Sequence, residues 1–394
     1  MNKVRLCGFI FLLGNVFSVL FAGPRVITLE GDVIEGNITG ISNQGVVSIK
    51  DTEFTLDGIR SIVASGDSNQ IDESEGRLVL ICGTEFAFTK ISLLEEEFKL
   101  SAQGLGEIIV PIDSVRALRF GKIRRGSRFQ KGLLDWKETK ELDTVFISGG
   151  AELQEVEGLI EELNQDSMVF DRDNKLQSVP INRTYGVVLA SPLLEQDDRP
   201  SCLLSLEGGS RIRANIIELK DGQVRLSMIE DIELNVPWEK VKRVSLKSPR
   251  LVFVSDLEPV SYNVNPIVAF RREFQKDRTV SGLPIQINEQ VYDKGLGLAS
   301  GMQLEFLNEG PYDMFLAEIG IDDDAGGLGD CEFVVKSDEG ELYRGRVKGG
   351  EPAKLIKVDI TGCNRITLQV DPGLDLDIAD HADWADACFL QRSK

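Results

Sequence analysis

The chain has 394 residues, 42% of them hydrophobic and 27% charged, with a formal net charge of −20 and a pI near 4.7. That apolar content can bury real cores, which excludes a disordered chain. A surface this acidic repels phosphate backbones, which excludes nucleic acid as the expected partner.

The N-terminus differs from the rest. Lys3 and Arg5 form a short basic start, and Leu6 to Ala22 then runs for 17 residues without a charge. A basic stretch followed by an apolar one reads as a secretory signal, assigned to residues 1–22, with Leu20 at the −3 position where a small residue is preferred. A retained membrane anchor is the alternative, because 17 residues lie near the lower limit of a span. Cys7 precedes the apolar run and does not end it, which argues against a lipoprotein. Export permits disulfides. The mature chain would hold Cys82, Cys202, Cys331, Cys363 and Cys388, an odd set with no zinc spacing. Strand-like flanks read as buried thiols; Cys331–Cys363 and Cys363–Cys388 are the conceivable pairs.

Four segments then share one plan: an apolar strand, a Gly-containing turn, a second strand, and a close on two apolar residues three apart. They span 24–66, 76–120, 143–191 and 200–248. The closing pairs are Ile59 and Ile62, Val115 and Leu118, Tyr185 and Val188, and Val241 and Val244. Alternation such as Val26 and Thr28 against Ile27 and Leu29 is the period of a half-buried strand. Gly31, Gly83, Gly149 and Gly208 supply the positive φ of tight hairpins. They are 52, 66 and 59 residues apart, which gives each unit about five short strands. Pro111, Pro180 and Pro237 cannot donate to a ladder, so they belong at strand starts or edges. In pattern, the units resemble small Sm-like or SH3-like barrels.

A polar linker starts at Ser65, and a helix-biased linker covers 121–142. The second is rich in positive charge (Lys122, Arg124, Arg125, Arg128, Lys131) and reads as a solvated connection. Two N-glycosylation sequons occur, at Asn37 and Asn182.

From about Leu251 the texture changes. Longer apolar strands appear (GMQLEF, DMFLAEIGI, CEFVVKS, ELYRGRV, LIKVDI, RITLQVD, ACFLQ), a spacing expected of a two-sheet sandwich or jelly roll. The ordered motifs DKGLGLASGMQLEF, Gly320-Ile321-Asp322-Asp323 before CEFVV, and Asp380-His381-Ala382-Asp383-Trp384-Ala385-Asp386 resemble the NPCBM family of carbohydrate-binding modules. The resemblance covers roughly 259–392, within a domain assigned to 251–394. It implies a galactose-binding-like β-sandwich and a glycan partner of galactose or related type. One position departs from the family: a His often follows Lys-Gly-Leu-Gly, and Ala299 stands there.

His381 is the only histidine. Beside Asp380, Asp383 and Trp384 it supplies planar hydrogen-bonding groups and a flat ring, the chemistry of a sugar site; a structural turn around a core tryptophan is the alternative. Asp322, Asp323 and Asp324 are consecutive carboxylates that suit Ca²⁺, against the alternative of a solvated acidic turn. Asp371, Asp375, Asp377 and Asp380 form a second acidic cluster. The sequence contains no G-x-S-x-G elbow, P-loop, dinucleotide fingerprint or H-E-x-x-H. The expectation is therefore an all-β, exported, non-catalytic glycan-binding protein, periplasmic, cell-surface or extracellular. The alternative is an envelope scaffold with protein partners that has lost sugar binding.

Overall fold

The computed structural model describes residues 23–49, 52–64, 75–121, 141–148, 153–191, 201–229, 232–267, 272–374 and 376–392. The signal segment, both linkers, Gly149 and Asp375 fall wholly or mainly outside them. The described residues are all-β, with short 3-10 turns and no α-helix. No helix among them is long and apolar enough to cross a membrane.

The N-terminal units follow one strand order. In the second, Val115–Phe120 pairs Gly76–Leu80, which pairs Glu85–Leu94, then Glu97–Ala102, then Gly106–Pro111. The third repeats this with Thr184–Val188, Asp143–Ser148, Leu153–Leu163, Ser167–Arg172 and Lys175–Pro180. The fourth does so with Val241–Leu246, Cys202–Leu206, Arg211–Lys220, Gln223–Ser227 and Glu233–Pro237. The first splits its second strand into Val33–Glu35 and Ile38–Ile41.

The prolines explain how the second, third and fourth units close. Pro111, Pro180 and Pro237 are the last residues of strands that pair on one side only. Each has φ near −60° and leads into one 3-10 turn, then the closing strand. A residue with no N–H ends an edge strand without breaking a ladder. All eight residues of the closing pairs are buried. Gly31, Gly83 and Gly208 have φ of 73°, 85° and 78°, as tight turns require.

The units are not four separate barrels. The closing strands of the first and fourth pair with each other, Arg243 to Val63 through Ser245 to Ser61. Those of the second and third pair likewise, Ala117 to Val188 through Arg119 to Gly186. Further bridges at Leu93–Leu163, Glu85–Arg211 and Ile41–Leu219 join all 21 strands into one sheet system around a common apolar core.

The C-terminal part is a two-sheet sandwich. One sheet runs Gln275–Lys276, Gly295–Ala299, His381–Leu390, Met314–Ile321, Lys354–Asp359, with Leu251–Phe253 also on His381–Leu390. The other runs Ser261–Val264, Met302–Leu307, Arg365–Pro372, Asp330–Ser337, Gly340–Lys348. Alternate side chains of both fill the space between, including Leu298, Phe306, Phe315, Phe333 and Trp384. A hairpin, Ile285–Ile287 with Gln290–Tyr292, covers part of the outer face of the first sheet.

That outer face also docks on the N-terminal units. Leu29 packs with Leu251, Leu316, Cys388 and Leu390. Arg60 and Arg243, each about 1% exposed, meet Glu318 and Asp386 across the boundary. The five described cysteines, Cys82, Cys202, Cys331, Cys363 and Cys388, are free thiols, all buried but Cys363, so neither conceivable disulfide is formed.

Candidate functional site

The site lies at one end of the sandwich, where Gly295–Ala299 ends, His381–Leu390 begins and the Asp322–Asp324 turn leaves Met314–Ile321. Strand register sets Ala299 directly opposite His381. The position that departs from the family pattern therefore borders the only histidine.

Of the four residues read as a sugar site, His381 alone keeps a foothold at the surface, its side chain 13% exposed. Trp384 is a correction: it is 0% exposed and sits in the core, edge-on to Phe333 at 5.0 Å and tilted to Phe315 at 6.0 Å. Inward alternation on a central strand places it there, so its ring offers no stacking face. Asp380 is buried and accepts a hydrogen bond from the Asp330 backbone N–H at 2.9 Å, which fastens a loop. Asp383 is buried beside Asp322. Burial first, then the contact with Asp322 and the charges of Asp322 and Asp324, push its carboxyl well above the usual range.

His381 is held from both sides. Its Nδ1 meets Asp324 Oδ1, and its Nε2 lies 2.6 Å from Arg272 Nη1. A guanidinium only donates, so Nε2 accepts and Nδ1–H donates to Asp324. Ser281 Oγ donates to the other Asp324 oxygen. Burial raises the Asp324 carboxyl, but the His381 and Ser281 hydrogen bonds outweigh it and bring it down to about 2. The result is a continuous Ser281–Asp324–His381–Arg272 chain with an exposed arginine at its outer end.

The acidic turn serves the fold. Asp322 accepts from the Gln286 backbone N–H at 2.8 Å and from Asp324 N–H at 2.9 Å. Asp323 accepts from Asn288 N–H, Glu289 N–H and the Gln286 side chain at 2.7–3.0 Å. Asp322 and Asp323 are thus engaged by backbone and side-chain donors of the hairpin, and Asp324 by Ser281 and His381. Among the described residues no group of three or more His, Cys, Asp or Glu is arranged to hold a metal ion.

Loops of the sandwich carry the exposed aliphatic residues Ile267, Leu328, Leu374, Leu376 and Ile378. The Ile267 N–H donates to Asp377 Oδ2 at 2.7 Å, which ties two of these loops together. Tyr262, 42% exposed, meets Phe274 edge-on at 5.5 Å, two residues beyond Arg272. Arg272, Ser281 and Tyr262 escaped the sequence reading. The available signal was a basic doublet, Arg271-Arg272, just before a strand in a strongly acidic chain.

The C-terminal part is thus a β-sandwich with planar polar groups grouped at one end. Residues 250–390 match the family model of the NPCBM/NEW2 domain. A curated protein of Renibacterium salmoninarum, named "Putative endo-alpha-N-acetylgalactosaminidase", is 33% identical over 110 residues. The match takes in 28% of this chain and 7% of that protein, so the chain spans a small fraction of its curated relative. Among solved structures, a CBM51 module of Clostridium perfringens GH95 in complex with methyl-galactose is 30% identical, with a TM-score of 0.32. The likeness covers 35% of this chain and 99% of that one. The CBM51-2 and INT domains of Clostridium perfringens ZmpB are 27% identical over 43% of this chain and 36% of that one, with a TM-score of 0.33.

Proposed function

We propose that the protein is an exported, non-catalytic glycan-binding protein whose sandwich end around His381 takes a sugar of galactose or related type. The observation that carries this reading is the Ser281–Asp324–His381–Arg272 chain, which holds an imidazole and a guanidinium in fixed orientation beside Ala299. Fixed planar donors and acceptors match vicinal hydroxyl groups. The family match supports the same chemistry. Among the described acids of this end, Asp380, Asp322 and Asp323 fasten loops through backbone hydrogen bonds. The test is retention of the full chain on immobilised galactose and N-acetylgalactosamine. Arg272→Ala is expected to lose it with an unchanged melting temperature; undiminished retention by that variant would remove this end as the site.

The exposed aliphatic residues Leu328, Leu374, Leu376 and Ile378 favour a second reading, an assembly surface for an envelope protein. Leu374→Asp with Ile378→Asp separates the two, because it would abolish protein association and leave retention on sugar largely intact.

A further inference from the structure

Among the described residues, strand pairing joins the second and third N-terminal units at two places. Their closing strands pair from Ala117–Val188 to Arg119–Gly186, and their second strands touch at Leu93–Leu163. Between these contacts the units part, and a cleft of about 880 Å³ opens. A register shift between Phe88 and Lys90 turns the strand at Thr89 on one wall. The Asn164–Asp166 turn and the 3-10 turn after Pro180 form the other.

We propose that this cleft is a second ligand site, specific for an uncharged oligosaccharide. Its floor is apolar: half-buried Phe120 and Ile181 face it, and Phe120 meets the buried Phe88 edge-on at 6.0 Å behind. Its rim carries exposed amides, Asn164, Gln165 and Asn182, with the Thr89 hydroxyl. Asn164 Oδ1 accepts from the Asp166 and Ser167 backbone N–H groups at 2.9 Å each, which fixes the turn that presents them. Amides donate and accept in one plane, the complement of adjacent hydroxyls, and an apolar floor fits the C–H face of a pyranose. Among the described residues that line the cleft, the charged groups are Glu75, Asp166 and Lys90, a sum of −1 in a chain of −20. A site so nearly balanced selects neither a polyanion nor a polycation. The volume lies within the range of ligand clefts. The site is independent of the sandwich end, so the protein would hold glycan at two points.

The experiment titrates the full chain with chitohexaose, cellohexaose and β-1,4-galactotetraose by calorimetry. The parent, His381→Ala, and Gln165→Ala/Asn182→Ala are compared; both substituted amides are exposed, so the fold is unaffected. Binding of at least one sugar to the His381→Ala chain is expected, weakened about tenfold or more by Gln165→Ala/Asn182→Ala. No binding of any of the three to the His381→Ala chain overturns the proposal. So does equal affinity in the double variant, or preference for a blocked Ser-Gly hexapeptide over all three sugars. Loss in the His381→Ala chain with binding in the parent assigns the sugar to the sandwich end alone.

Discussion

Arg243 Nη2 lies 3.0 Å from Glu318 Oε1, joining the closing strand of the fourth N-terminal unit to the sandwich in a fully buried ion pair. Asp386 accepts from the same nitrogen at 2.5 Å, Arg60 Nη2 approaches Glu318 at 3.4 Å, and Tyr292 donates to Glu318 Oε2 at 2.9 Å. The Arg243 guanidinium also stacks over the Tyr292 ring, 4.8 Å from its centroid. The sandwich is thus locked to the sheet system behind it, and the His381 end is presented in a fixed direction.

Removing one partner of such a cluster strands the others. Arg243→Met leaves Glu318 and Asp386 buried with one cation fewer. It is expected to destabilise the folded chain by about 3–5 kcal/mol. Arg243→Met combined with Glu318→Met should cost less than the two single changes added together. Urea denaturation of the four proteins gives the coupling directly; strict additivity would contradict a working pair.

The same cluster sets an acid limit. Burial raises the Glu318 carboxyl, but Arg243 and Arg60 outweigh it and hold it down at about 2, against an ordinary 4.5. Because the folded value is depressed, the stabilisation is complete above the ordinary value and is lost as pH falls toward 2. Urea midpoints should therefore fall between pH 5 and about 2.5, and the fall should be shallower in Glu318→Gln. Identical slopes in both proteins would show that Glu318 does not carry the effect.

Trp384→Ala opens the centre of the sandwich. A loss of about 3–5 kcal/mol is expected, visible as a lowered melting temperature and an altered near-ultraviolet circular dichroism spectrum. An unchanged melting temperature would contradict the core placement.

Calcium is expected to leave stability alone. The Asp322–Asp324 carboxylates already accept hydrogen bonds from the hairpin and from Ser281 and His381. Scanning calorimetry should give the same melting temperature in millimolar Ca²⁺ and in EDTA. A rise in calcium that Asp323→Asn abolishes would restore a metal site there.

The sequence carried the fold class well. Period-two alternation, the turn glycines and the I-x-x-I closes mark each unit, and Pro111, Pro180 and Pro237 locate the end of each edge strand. What it hid was how the units join, because strand pairing between units depends on backbone edges that no side-chain period encodes. Arg60 and Arg243 look like ordinary outward residues of amphipathic strands until the sandwich covers them. Trp384 shows the opposite limit: one residue's register in a strand decides between stacking face and core, and the DHADWADA run does not fix it. His381 was legible as a rare residue in a motif. Its partner Arg272 was not, being 109 residues away and brought close only by the fold.

The most direct measurement is binding of the full chain to an array of defined glycans, parent against Arg272→Ala and His381→Ala. The account predicts selective binding to galactose-type or related sugars, reduced by both substitutions at unchanged melting temperature. A folded parent that binds no glycan, or binding indifferent to both changes, would contradict it.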